Sequence, residues 1–197
     1  MKYILSSIIA ATLLFTACED KKEEPSNSNL HMKEAPTKEK PAENKVMIDL
    51  DNPSVGDYKV GMSITDIKGD FQKSTRPGLE GREMEVLEFS FDGEVAGYML
   101  WDYPDESKIG DIVITSDKIQ TKKGIKIGDT YETVKAAYPN GKLNGSEETM
   151  SMNYNDKLYR MSFGSGPEFM EFDLKETPEI LHQKLKEITL HKDYSQE

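Results

Sequence analysis

The chain has little of what most catalytic sites are built from. Its 197 residues include one cysteine, three histidines and one tryptophan. A single cysteine closes no internal disulfide, so the fold has to be held by packing. The histidines are His31, His182 and His191. With no His-Glu-x-x-His spacing and no second cysteine, a protein-bound zinc centre is not expected. No Gly-x-Ser-x-Gly stretch occurs, and "GSGPEF" (164–169) reads as a glycine-rich turn lacking the helix that a phosphate cradle needs. Cationic surface is scarce as well. Acidic side chains outnumber basic ones by 36 to 25, for a formal net charge of −11. A chain this acidic repels phosphate backbones, which excludes nucleic acid as a partner.

Long apolar runs are also few. After Met1-Lys2, the stretch Ile4 to Phe15 is almost wholly apolar and ends in the small residues Thr16-Ala17. At about a dozen residues it falls short of the roughly 20 that span a bilayer and has the form of a secretory signal peptide, residues 1–17. Phe15-Thr16-Ala17-Cys18 resembles the lipobox of bacterial lipoproteins: an apolar residue, two small ones, then cysteine. Phe15 stands where that family prefers Leu. The resemblance implies cleavage before Cys18, a diacylglyceryl group on its thiol and acylation of the freed amine. Two or three acyl chains hold a protein stably on a membrane, each buried CH₂ adding about 0.8 kcal/mol. The alternative is an ordinary signal peptide with a cysteine in its cleavage region.

Residues 18–45 follow as the lipidated end and its tether. Glu19 to Lys45 carries seven acidic and six basic groups with three prolines, and almost no large apolar side chain. Such a segment cannot bury enough surface to offset its entropy and is expected to be disordered, with a root-mean-square reach of ~30 Å. The head "CEDKKEE" also resembles the acidic sequences behind the lipidated cysteine of many Bacteroidetes surface lipoproteins; a plain solvated charge run is the alternative. Residues 46–197, expected to form one domain, carry the remaining −11.

From Val46 the pattern changes to alternation. Leu87, Phe89 and Phe91 alternate with polar neighbours, as do Met150, Met152 and Tyr154, then Tyr159, Met161 and Phe163, then Met170, Phe172 and Leu174. A period of two predicts antiparallel strands with one wet face. Asp92-Gly93 and Asn155-Asp156 mark hairpin turns. Val95 to Trp101 and Ile112 to Ile114 are apolar on both faces and should lie centrally in the sheet.

Two segments look alike. "VGMSITDIKGDF" (60–71) aligns without gaps on "IGDTYETVKAAY" (127–138), pairing Ser63 with Thr130 as helix N-caps and Ile64, Ile67 and Phe71 with Tyr131, Val134 and Tyr138. "KIGDIVITSD" (108–117) aligns on "KLKEITLHKD" (184–193) as a closing strand. The expectation is an internal duplication, repeat one over about 56–117 and repeat two over about 124–193, each a short helix followed by about three strands. The fold class expected is therefore α+β: a mainly antiparallel sheet from two αβββ-like repeats, with short helices on one face.

The Gly-Met-Ser helix start followed by a meander resembles the small outer-membrane-assembly lipoprotein family, and the tandem arrangement resembles the β-lactamase-inhibitor-protein fold. The resemblance covers roughly 56–193 and implies a binding scaffold whose sheet face or loops meet another protein. Nothing beyond the helix cap matches residue by residue, so no binding residue is carried over.

Candidate site residues are few. Cys18 is the lipid attachment point, which removes it from nucleophilic chemistry. "WDYPDES" (101–107) holds Asp102, Asp105 and Glu106, without the spacing or the glycine of an EF-hand calcium loop. Trp101 and Tyr103, placed on one face by alternation, are candidate partner-binding aromatics; for Trp101 a core position is the alternative. His182 is expected on a solvated helix face. No catalytic residue, cofactor or metal is expected. The sequence points to a lipid-anchored protein of the bacterial cell envelope, at the outer membrane on its periplasmic or surface side, that binds an envelope protein or assists assembly. The alternative is a surface protein handling small ligands or polysaccharide, with weak hydrolase activity.

Overall fold

The structure is a computed structural model that describes residues 46–78, 81–103 and 105–193. The signal peptide, Cys18 and the tether lie outside the described residues. Strands β1 (Met47–Asp49), β2 (Ser54–Val55) and β3 (Tyr58–Lys59) precede a four-strand meander: β4 (Phe71–Pro77), β5 (Glu83–Phe91), β6 (Glu94–Trp101) and β7 (Ile109–Ile114). Strand β8 (Gln120–Thr121) and helix α1 (Tyr131–Ala137) lead into β9 (Lys142–Ser146), β10 (Ser151–Asn155) and β11 (Tyr159–Ser165). Helix α2 (Pro178–Leu181) precedes β12 (Glu187–Leu190). Among the described residues these strands form two sheets, of order β3-β2-β1-β8 and β4-β5-β6-β7-β12-β11-β10-β9.

This overturns the α+β expectation: the protein is β-rich, mostly antiparallel, with little helix. Where residues 60–71 were expected to form a helix there is a 3-10 turn, Ile64–Asp66, and Ser63 makes no side-chain cap. The β-branched Ile64, Thr65 and Ile67 and the glycine at 69 disfavour helix. Gly69 serves instead as a point of close approach: a Cβ there would lie 2.3 Å from the Tyr58 hydroxyl, which donates to the Asp70 carbonyl at 2.9 Å. In the second segment Thr130 does cap, its hydroxyl accepting from Thr133 N–H at 3.3 Å, and α1 forms. Each half also supplies four strands to the large sheet, not three.

The alternation of Met170, Phe172 and Leu174 does not become a strand either. Pro167 opens a 3-10 turn to Phe169, and Phe169 is buried while Met170 and Phe172 face solvent. The glycines and proline around it break the pairing.

The two halves are related strand for strand. Gly61 N–H donates to Ile109 O at 2.7 Å, and Gly128 N–H to Leu185 O at 2.8 Å. Ile109 N–H returns to Met62 O at 2.9 Å, and Leu185 N–H to Asp129 O at 2.8 Å. Isolated bridges join Ser63 to Lys108 and Thr130 to Lys184. The halves meet where β7 pairs antiparallel with β12, Val113 opposite Thr189. Those two residues are equivalents in the alignment of 108–117 with 184–193, so a pseudo-twofold axis passes between them.

The core lies on one face of the large sheet, against the small sheet and both helices. It joins Leu87, Phe89, Met99, Ile112, Ile114, Met161, Phe163 and Ile188 to Ile48, Val55, Tyr58, Tyr131 and Val134, all buried. Tyr131 meets Tyr154 and Phe163 edge-on, with centroids at 5.4 and 5.5 Å. The Asp92-Gly93 turn between β5 and β6 has φ of 53° and 78°, the positive values that a tight hairpin requires.

Candidate functional site

Side chains alternate along a strand, so the large sheet has a second face, and its composition differs from that of the core. Register places one row straight across all eight strands: Gln72, Glu88, Tyr98, Val113, Thr189, Arg160, Asn155, Lys142. A second row runs Glu187, Ser162, Asn153, Asn144. Under the pseudo-twofold, Tyr98 and Arg160 are equivalents, each one strand from the central pair. Val86 and Val113 are buried on this face yet belong to no part of the core cluster.

The polar groups hold each other in place. Arg76 donates to Glu88 at 2.8 Å and sits 4.7 Å from the centre of the Tyr98 ring. Ser162 Oγ donates to Asn153 Oδ1 at 2.8 Å, and Asn155 Nδ2 to Asn144 Oδ1 at 2.8 Å. Arg76, Lys142 and Arg160 balance Glu88, Asp111 and Glu187, so this face is near neutral in a domain carrying −11. Burial pushes the Tyr98 phenol up, Glu187 adds to the effect, and Arg76 and Arg160 oppose it. It remains a protonated donor at neutral pH.

Beside Arg160 is a hollow of about 400 Å³ lined by Asp111, Asn155, Asp156, Arg160, Thr189 and His191. Asp111 Oδ1 and Asn155 Oδ1 are buried and accept no hydrogen bond from a described residue. Burial raises the Asp111 pKa, opposed by the nearby His191 and Arg160. An acid whose pKa is raised on folding costs stability when ionised. The cost is absent below its unfolded value near 3.8 and complete above the folded one. Asp111→Asn is therefore expected to stabilise the protein by about 1 kcal/mol at pH 7 and by nothing at pH 3. Thermal melts at the two pH values check this; an equal shift at both would contradict it.

The residues singled out from sequence lie elsewhere. Trp101 ends β6, half-buried, and packs against the rim of the core. It lines a shallow hollow with Lys73, Ser74, Thr75 and Glu85, a set that does not include Tyr103. Tyr103 is 87% exposed in the following loop. Strand β6 ends at Trp101, so the alternation on which their common face rested does not extend to Tyr103. In the same loop, Asp105 is tied into a turn by Ser107 N–H at 3.2 Å and by Lys108 at 2.9 Å. Hydrogen bonds from Ser107 and Lys108 hold its pKa at about 2. No group of three or more metal-ligating side chains occurs among the described residues. His182 is exposed at the end of α2, whereas His191 borders the hollow.

Tyr98, Asp111 and Arg160 were missed because each lies within a strand recognised by its core-facing neighbours. The signal was there: Asp111 interrupts the apolar run Ile109–Ile114, and Arg160 is the polar member between Tyr159 and Met161.

No family model matches the chain, and no curated protein matches it. The solved structure of the uncharacterized protein yfeY from Escherichia coli is similar to it, with 17% identity and a TM-score of 0.49, covering 75% of this chain and 99% of that one. A likeness this distant assigns neither a fold family nor an activity. No helix among the described residues is long and apolar enough to cross a membrane.

Proposed function

We propose that the chain is a lipid-anchored binding module of the bacterial cell envelope. Cys18 holds it on the membrane, and the open face of the large sheet meets another protein. The observation that carries the binding role is the in-register row centred on Tyr98 and Arg160. Tyrosine and arginine dominate binding hot spots, and here they flank a buried Val113–Thr189 floor at the middle of a broad rigid surface. The envelope location is supported by Phe15-Thr16-Ala17-Cys18 and the polar tether behind it.

The face suits a folded partner better than chemistry. Its charges cancel, while Arg76 Nε, Asp111 Oδ1 and Asn155 Oδ1 lack partners among the described residues, so recognition rests on shape and on a few central anchors. The test is affinity purification from detergent-solubilised membranes. Wild type is expected to retain a defined envelope protein, and Arg160→Glu to retain it at least about tenfold less, because reversing a central charge forces an unpaired carboxylate into the interface.

A further inference from the structure

At the β9–β10 corner of the sheet a separate hollow of about 600 Å³ opens among Asn140, Lys142, Asn144, Asn155, Asp173 and Phe172. That volume falls within the range of small-ligand sites, about 300–1,000 Å³. Asp156 and Lys157 of the β10–β11 turn and Leu143 complete its lining.

Its chemistry is specific in three ways. The wall is an amide pair on two strands: Asn155 Nδ2 donates to Asn144 Oδ1 at 2.8 Å, while Asn155 Oδ1 has no donor among the described residues. The charges cancel, Lys142 and Lys157 against Asp156 and Asp173, so neither a strong anion nor a strong cation is favoured. The lining also includes Phe172, 75% exposed. Its segment is fixed against the sheet, since Gly145 N–H donates to Phe172 O at 3.2 Å. Glycine is required there, because a Cβ at 145 would lie 2.2 Å from the carbonyl oxygens of Phe169 and Glu171.

We infer that this hollow binds an uncharged sugar ring. Hydroxyls both donate and accept, which matches a wall of amides, carboxylates and ammonium groups. The C–H face of a pyranose is apolar, which matches a solvent-facing phenyl ring. The hollow adjoins the open face, sharing Lys142, Asn144 and Asn155 with its rows and Asn155 and Asp156 with the hollow beside Arg160; its test uses sugars alone, so its outcome is separate from that of the protein-binding reading.

The experiment is isothermal titration of the chain with maltotriose and with tri-N-acetylchitotriose, followed by amide chemical-shift mapping. Binding of at least one sugar at a dissociation constant of about 1 mM or tighter is expected, with shifts clustered at 140–145, 155–157 and 172–173. Phe172→Ala should weaken it about tenfold, and Asn144→Ala should weaken it as well. Phe172 is exposed, so its loss leaves folding intact, which an unchanged melting temperature verifies. Lys126→Ala, outside the hollow, should bind like wild type. No binding of either sugar at ~10 mM, or equal binding by Phe172→Ala and wild type, would overturn the inference.

Discussion

Gly97→Ala is expected to destabilise the protein by more than about 3 kcal/mol, lowering its melting temperature by on the order of 10 °C. Gly97 sits in β6, opposite Phe89 on one neighbouring strand and Ile114 on the other. A Cβ at this position would lie 2.0 Å from the Val113 carbonyl oxygen and 2.9 Å from the Phe89 ring. The first contact is with backbone, not with the end of a flexible side chain. Relief would need β6 and β7 to separate, and β7 is the strand that pairs with β12 across the pseudo-twofold. Strain at this point is therefore shared by both halves. Thermal or urea unfolding of the two proteins measures the effect; a shift of less than ~1 kcal/mol would show that the strands adjust freely and that the centre of the sheet is less rigid than described.

The second large effect concerns the anchor. Cys18→Ser removes the only thiol in the chain and with it the attachment point that the lipobox resemblance implies. The variant is expected to lose membrane association entirely and to be recovered in the soluble fraction, because acyl burial supplies the anchoring energy. The −11 carried by residues 46–197 adds nothing, since it repels anionic lipid surfaces. Mass spectrometry of the wild-type mature chain should find its N-terminus at Cys18, heavier by the acyl groups. An unmodified Cys18 would refute the anchor.

How far the sequence reaches differs between the sheet and the rest. Strands β5, β10 and β11 were legible because apolar and polar residues alternate along them, and the β5–β6 hairpin because Asp92-Gly93 supplies positive φ. The relation between the halves was legible in Gly61 and Gly128, whose N–H groups make matching bonds. Helix content was not. Ser63 and Thr130 look alike as caps, but the residues behind them differ, and the tyrosine packed at Gly69 occupies space that a continuing helix would need. Alternation alone also misled at Met170–Leu174, where Pro167 and the neighbouring glycines override it. The candidate face was the least legible part. Its residues are scattered over all eight strands, and only the register brings Tyr98, Arg160 and Asn155 into one row. Trp101 and Tyr103, an aromatic pair next to an acidic loop, stand out in the sequence instead, but β6 ends at Trp101 and leaves Tyr103 in the loop beyond it.

Binding of a protein partner by the open face of the large sheet is open to direct measurement. The most direct measurement compares partner retained from solubilised membranes by Arg160→Glu, on that face, with partner retained by Lys126→Glu, an exposed position on the small-sheet side of the core. Both carry the same charge change, so non-specific electrostatics affect them equally. Retention is expected at about one tenth of wild type for Arg160→Glu and near wild type for Lys126→Glu. Equal retention by the two variants, or a loss confined to Lys126→Glu, would contradict it.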